Sequence, residues 1–559
     1  MAMAANLVVL LGMAGCASSP PSGAPAAERS ITILTMNDVY RIEGLDDGKA
    51  GGLARLRTLR AELEARAPGR VLLLHGGDVI FPSFLSREYQ GKQMIDVMNL
   101  LDGDATPGRI DERMLVVFGN HEFDSESCAT PSQLQARVAE SDFLWLSSNV
   151  APSRCPDGRP RLTGVNVLQA RIIDVGGIRV GLFGLTIPIP HTDVAFLDPL
   201  ATATALTADL RRRGAEVVIA VTHLPKEEDE RIYADLRERG LDLIIGGHEH
   251  EHMALPPGDA PRIFMADANA RTAWVITLRL GSDGRVGVEA SLRELDSAIR
   301  PDPAVAGRVA QWLERHAAEF CAKQGEPASC LAEPLATTRT PLIAEEEKVR
   351  RAETFAGNWV TDLMREAFTA CGADAALINA GTLRLNYDLP KDTTITRRHV
   401  EELMPFTTPL YLVELSGAQV QRALENAISR PGTGRWLQVS GLAFVHVPSA
   451  APPRVTKLFL SPSGGRPAVD LMQHPEQRVR VVVNEFMTRD PAEGFVGILP
   501  PVGQALPCAA SSTDLKALIL RTLRAQGSIV PTAEGRICAA ADTATHECQA
   551  DMWARPAAR

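Results

Sequence analysis

At 559 residues the chain is too long for one core, and a prior of roughly 150 residues per domain predicts two to four units. Its 45% hydrophobic and 23% charged residues are ordinary for a globular protein and leave ample apolar material for sizeable cores. A formal net charge of −10, with no clustered basic face, argues against nucleic acid as a bulk partner, although metal ions can supply the local positive charge that an anionic substrate needs.

Leu7 to Met13 (LVVLLGM) is an apolar run too short to span a bilayer, and Ala14-Gly15-Cys16 follows it as a small-residue site. Residues 1–16 therefore read as a targeting segment. They resemble a bacterial lipoprotein signal, which makes Cys16 a possible lipid anchor and the only route to a membrane. Two departures keep a plain secretory signal open: no Lys or Arg precedes the run, and Met13 stands where such signals usually carry Leu. Residues 17–29 read as a flexible tether. The expected address is exported, either periplasmic or anchored at the outer membrane, where cysteines can pair. Of the nine cysteines, proximity pairs Cys128 with Cys155, Cys321 with Cys330, and Cys538 with Cys548. Cys371, inside an apolar helical stretch, reads as a buried thiol.

Residues 30–297 alternate short β-rich runs with amphipathic helices such as Leu53 to Ala65 and Thr202 to Gly214, which predicts an α/β or layered α/β/α domain with substantial parallel sheet. Val275 to Leu295 reads as a hairpin turning at Gly281 to Gly284. Residues 298–342 form a linker, a charged amphipathic helix from Pro301 to about Ala322 and then a Pro- and Thr-rich connection. A second, α+β unit runs over 343–530, opening with a helix at Thr354 to Ala370 and containing the strand Val479 to Met487. Residues 531–559 read as a tail that packs loosely unless a disulfide ties it down.

Five apolar runs of the first domain each end in a polar cluster that can bind metal: Asn37-Asp38, His75-Gly76-Gly77-Asp78, Gly119-Asn120-His121-Glu122, Thr222-His223, and Gly246-Gly247-His248-Glu249-His250. Ligands bind outside the carboxyl ends of strands in open α/β sheets, so five strand ends can deliver Asp38, Asp78, Asn120, His223, His248 and His250 to one edge. A mixed Asp, Asn and His set suits Zn, Mn, Co or Fe better than Ca or Mg. Two such cations, bridged by one carboxylate, can clamp a phosphoryl oxygen and activate a water as hydroxide.

These blocks resemble the 5'-nucleotidase branch of the calcineurin-like metallophosphoesterases, whose D-x-H, G-D, G-N-H-E, H and G-H-x-H motifs stand here as NDVY, GGDVI, GNHEFD, THL and GGHEH. The resemblance implies that Asp38 and His250 hold one metal, that Asp78 bridges, and that Asn120, His223 and His248 hold the other. It also implies that His121 sits over the phosphoryl group, oriented by Asp124. One position departs: Tyr40 replaces the histidine of D-x-H, so the first metal site is weaker, takes a harder ion or recruits water. His75 and His252 are nearby imidazoles, each read as a supporting or surface residue. In the second unit the family's Asn-Gly-Gly-x-x-Arg block appears as Asn379 to Arg384, keeping Asn379, Gly381 and Arg384. Phe406 and Phe486 match its two base-stacking rings, and Arg350 or Arg351 adds a second cation. The family's GGDG block is altered, with Asp490 or Glu493 as candidate acids.

The implied activity is a 5'-nucleotidase-like, two-metal phosphohydrolase acting on a small-molecule nucleotide or related phosphoester. Two alternatives stay open: a two-metal hydrolase for a non-nucleotide phosphoester, and a catalytically impaired lipoprotein that binds nucleosides or anions.

Overall fold

The computed structural model describes residues 29–46, 48–124, 132–151, 155, 162–189, 194–258, 260–462, 467–489, 494–541 and 548–554. Cys16, Cys128, Asp490 and Glu493 lie outside the described residues.

The first unit is built on thirteen strands. In chain order they are β1 (Arg29–Met36), β2 (Val71–His75), β3 (Asp111–Val117), β4 (Phe143–Leu146), β5 (Val167–Leu168), β6 (Ala170–Val175) and β7 (Ile178–Thr186). Then come β8 (Val217–His223), β9 (Leu243–Ile245), β10 (Met253–Leu255), β11 (Ile263–Met265), β12 (Thr272–Leu280) and β13 (Val286–Glu294). They divide into a seven-stranded sheet, ordered β13-β12-β1-β2-β3-β4-β5, and a six-stranded sheet, ordered β10-β11-β9-β8-β7-β6. The expected hairpin is β12 against β13, antiparallel from Thr272–Glu294 to Leu280–Val286.

Strands β2 and β8 are buried along their whole length, as parallel strands covered on both faces must be. Ile33, Leu72, Leu115 and Val117 of the first sheet pack against Val180, Ile219, Val221 and Ile245 of the second. Helices Leu53–Arg66 and Lys92–Met98 cover the outer face of the first sheet, and Pro199–Arg212 and Lys226–Leu236 that of the second. The layering is therefore helix, sheet, sheet, helix, one sheet more than α/β/α. Alternation of strand and helix reveals that strands are buried, but not which of two stacked sheets receives each one.

Helix Pro303–Lys323 leads to the second unit, where a four-stranded sheet, in spatial order Leu410–Ser416, Arg478–Asn484, Ala375–Asn379 and Leu437–Ser440, packs against helix Phe355–Ala367. The run expected as strand through Met487 ends at Asn484, and Phe486 stands on the short helix Glu485–Arg489. The expected tail contributes Ile537–Ala539 as a strand parallel to Phe444–His446, and a Cys538–Cys548 disulfide ties it down. Cys321 pairs with Cys330 as proximity suggested, and Cys155 is also disulfide-bonded. Cys371 is not a free thiol: it bonds Cys508, 137 residues away, a partner that no spacing could indicate. Among the described residues no helix is long and apolar enough to cross a membrane.

Candidate metal centre and substrate cleft

The residues that follow β1, β2 and β9 leave their strands through tight, unusual turns. Asp38 (φ 52°), Asp78 (φ 59°), His248 (φ 82°) and His250 (φ 58°) all have left-handed backbone, which costs of order 1–3 kcal/mol at a non-glycine residue and tends to cluster at functional sites. A dense hydrogen-bond frame holds these turns. The Asp38 N–H donates to the Gly77 carbonyl (2.9 Å), and the Val39 N–H to that of Asp78 (3.0 Å). Beneath the Asp78 turn, the buried Glu122 carboxylate accepts from the N–H groups of Asp78 (3.1 Å), Val79 (2.6 Å), Ile80 (2.9 Å) and Gly119 (2.5 Å). A Cβ on Gly119 would collide with Asp78 Oδ1, so the carboxylate occupies space that only glycine leaves open.

The side chains converge as the strand-end pattern predicts. Ligand atoms of Asp38, Asp78 and His223 all lie within 4.8 Å of one another. Asp78 Oδ2 is 3.4 Å from His223 Nε2, and that nitrogen is 3.0 Å from Asn120 Oδ1. His250 Nε2 is 3.4 Å from Asp38 Oδ1. The His248 ring packs edge-on against His223, 5.2 Å between centroids, and its backbone N–H donates to Asp38 Oδ2 (2.9 Å). His223 Nδ1–H donates to the Gly76 carbonyl (2.7 Å) and His250 Nδ1–H to Glu345 Oε1 (3.0 Å). Each bond turns the opposite nitrogen, Nε2, toward the centre, the usual way a histidine ligand is oriented.

The electrostatics fit cations at this point. Burial lowers the His223 pKa, but the Asp78 carboxylate beside it raises it further, to about 10. Burial likewise opposes a charge on His250, and its hydrogen bonds to Asp38 and Glu345 outweigh this and hold it well above the ordinary value. His248 stays neutral, lowered to about 4 by burial and by the His223 charge. Protons on His223 and His250 thus stand where positive ions would, and the donor set fits metal cations.

His121 is placed by its backbone N–H, which donates to Asp78 Oδ1 (3.0 Å), and by Nδ1, 2.7 Å from Asp124 Oδ2. Burial lowers its pKa, whereas Asp78 and the Asp124 hydrogen bond raise it to about 9. Tyr40 brings its hydroxyl into the centre, 2.9 Å from both Asp78 Oδ2 and His250 Nε2. Neither nearby imidazole takes the ligand position. His252 is exposed and pairs with Asp267 (3.0 Å). His75 is buried, with Nδ1 accepting from the Gly77 N–H (3.1 Å) and its pKa lowered to about 3 by burial.

The second unit closes over this centre. Glu345, at the N-cap of helix Glu346–Val349, reaches His250, and Arg41 of the first unit bonds Glu402 (2.7 Å) under the Tyr387 ring. Arg384 Nε donates to the Gly381 carbonyl (2.7 Å), and Arg384 Nη1 lies 3.8 Å from the buried Glu346. Arg350 also pairs with Glu346, whereas Arg351 turns away to Glu347 (2.7 Å). Asn379 is buried, its Oδ1 accepting from Thr382 (2.6 Å) and Asn484 (2.9 Å), so it braces the loop that carries Arg384. Phe406 and Phe486 are 48% and 39% exposed, the two aromatic rings among the large apolar side chains that the described residues leave open. The Arg87 guanidinium lies 5.0 Å above Phe406.

The gap lined by Tyr40, Ser83, Phe84, Arg384 and Asn386 holds about 20 Å³, room for one water. A cavity of about 810 Å³ lies elsewhere between the units, lined by Lys49, Arg55, Leu313, Pro390 and Thr393, and contains none of the converging ligands. The chemistry follows donor convergence rather than cavity size. Sequence reasoning missed Glu345, Glu346 and Arg87, because no spacing shows which surfaces of two units will meet. Glu122 lay inside a motif already singled out, and its four N–H partners follow only from the fold.

The stacked sheets and their converging ligands define a hydrolase of the metallophosphoesterase superfamily. Residues 31–252 match the calcineurin-like phosphoesterase model, and residues 334–495 match the 5'-nucleotidase C-terminal domain model. The chain belongs to the 5'-nucleotidase family of these metallophosphoesterases. It is 26% identical to rat 5'-nucleotidase over 471 residues (76% of each chain), and 25% identical to human 5'-nucleotidase over 557 residues (91% of this chain and 90% of that one). The crystal structure of a 5'-nucleotidase precursor from Thermus thermophilus superposes with a TM-score of 0.68 at 26% identity, covering 91% of this chain and 99% of the other.

Proposed function

We propose that this protein is an exported two-metal phosphohydrolase that removes phosphate from nucleotides. The observation that carries the reading is the clustering of Asp38, Asp78, Asn120, His223, His248 and His250 at the strand ends of the first unit. When bound, a pair of divalent cations, Zn, Mn, Co or Fe, would neutralise the phosphoryl oxygens and sharpen a water into a nucleophile. Asp38, Asp78 and His250 would hold the first ion, and Asn120, His223 and His248 would hold the second together with Asp78. His121, kept protonated by Asp78 and Asp124, stabilises charge on the phosphoryl group and gives its proton to the leaving oxygen.

Arg384 binds anionic substrate oxygens, braced by Asn379 and Gly381, and Phe406 and Phe486 stack on the base. The gap beside Tyr40 and Arg384 holds about 20 Å³, far less than a nucleotide, so this reading requires the two units to separate when substrate enters. Relatives named as a precursor and as snake venom enzymes support export, as do the disulfides, and Cys16 is the candidate lipid anchor. Steady-state kinetics on AMP and phenyl phosphate test the substrate class. Phe406→Ala and Phe486→Ala should each raise KM for AMP about 5- to 150-fold, from about 1–3 kcal/mol of lost stacking, and leave phenyl phosphate unchanged. Equal effects on both substrates would instead favour a non-nucleotide phosphoester.

A further inference from the structure

Tyr40 is buried, and its hydroxyl oxygen is seated among the donors of the first metal site rather than beside them. Its Oη is 2.9 Å from Asp78 Oδ2, 2.9 Å from His250 Nε2 and 3.2 Å from Asp38 Oδ1, while His250 Nε2 is 3.4 Å from Asp38 Oδ1. Ligands held about 2.1 Å from a common cation are separated by about 3.0 Å along an octahedral edge and about 3.4 Å along a tetrahedral one. The four spacings fall in or close to this range, so the phenolic oxygen is close enough to the other three donors to share one cation with them.

We propose that Tyr40 is a protein ligand of the first metal through its phenolic oxygen, and that this makes the first site a ferric site. The idea rests on the two-metal reading above and changes one part of it: the first of the two cations is trivalent rather than divalent. With Tyr40 the first site offers three oxygens and one nitrogen, from Asp38, Asp78, Tyr40 and His250. The second offers two of each, from Asp78, Asn120, His223 and His248. On binding, the phenolic proton leaves to solvent, as protons leave other ligands that bind metal in their deprotonated form. Three anionic ligands then surround the first cation, whereas the shared Asp78 is the only anion at the second. A trivalent ion balances three negative charges, and phenolate is a hard oxygen donor that iron accepts in proteins. The second set suits a borderline divalent ion such as zinc.

The test is spectroscopic. The full-length protein is stripped with a chelator, reloaded with one equivalent each of ferric iron and zinc, and examined by visible absorption and resonance Raman scattering. A phenolate-to-iron charge-transfer band is expected, with tyrosine ring modes in the Raman spectrum. Both should be lost in Tyr40→Phe, and Tyr40→His should bind metal without the band. If Tyr40→Phe does not fold, wild-type protein grown on ring-deuterated tyrosine serves instead, and its Raman modes must shift. Failure of the wild type to take up iron, an absent band, or a band that survives in Tyr40→Phe would overturn the proposal. Phosphate release from AMP is followed in the same samples. A Tyr40-dependent band without turnover keeps the ligand and removes the hydrolase reading, and turnover without such a band does the reverse.

Discussion

Replacing Glu122 by Gln removes one atom's worth of charge and leaves the shape intact, yet it should weaken both the fold and the metal site. Oε1 accepts from Val79 and Ile80, and Oε2 accepts from Asp78 and Gly119. A glutamine can present oxygen to only one of these pairs, and its NH₂ then faces the two N–H donors of the other. Two buried donors are orphaned at about 1–3 kcal/mol each, a central value of about 4 kcal/mol. For a unit of this size that corresponds to a fall of about 8–16 °C in the thermal transition. Burial and the Asp78 charge push the Glu122 carboxyl up to about 7, while the N–H donors stabilise its ionised form, and cations at Asp78 would relieve the repulsion. Because the Asp78 turn is what Glu122 holds, metal affinity should fall about 10- to 100-fold. Thermal unfolding of stripped protein, followed by a Mn titration, reads both effects. A variant within about 2 °C of wild type, with unchanged metal affinity, would refute the idea that Glu122 is the frame under Asp78.

Other outcomes follow from the same geometry. His121 has its pKa raised to about 9, so its protonated form persists through neutral pH and is lost as pH rises through that value. Asp124→Asn should move the alkaline limb of the kcat/KM profile down by about one unit, a modest figure because Asp124 is half exposed and solvent screens its charge; an unmoved limb would remove His121 as the acid. Glu345→Gln takes the charge from the group that orients His250 and should weaken the first metal about tenfold, leaving one tighter and one looser site in calorimetry. Two sites of unchanged affinity would contradict that role.

Much of the centre was legible because its ligands are local to strand ends. A buried parallel strand can present polar side chains only where it stops, so Asp38, Asp78, Asn120, His223, His248 and His250 could be read from five apolar runs. The left-handed turns at Asp38, Asp78, His248 and His250 could not, since Asp and His tolerate that backbone without announcing it. The second sheet was hidden for a related reason: strands buried on both faces look alike whichever sheet they join. The interface was the least readable part. Glu345 contacts His250 across 95 residues, and Glu402 contacts Arg41 across 361, contacts made by tertiary closure alone. Phe406 and Phe486 became candidates through resemblance to a family, and what the fold adds is their exposure, which core packing would not leave.

Asp78 is the carboxylate that the proposed two-metal centre shares between its two sets of ligands. The decisive measurement is phosphate release from a nucleoside 5'-monophosphate by stripped full-length protein, before and after metal is restored, for wild type beside Asp78→Asn. A two-metal centre bridged by Asp78 predicts no release before metal, release after it, and a loss of at least about a hundredfold in Asp78→Asn. Equal release by both proteins, or release indifferent to metal, would contradict a two-metal centre at this site.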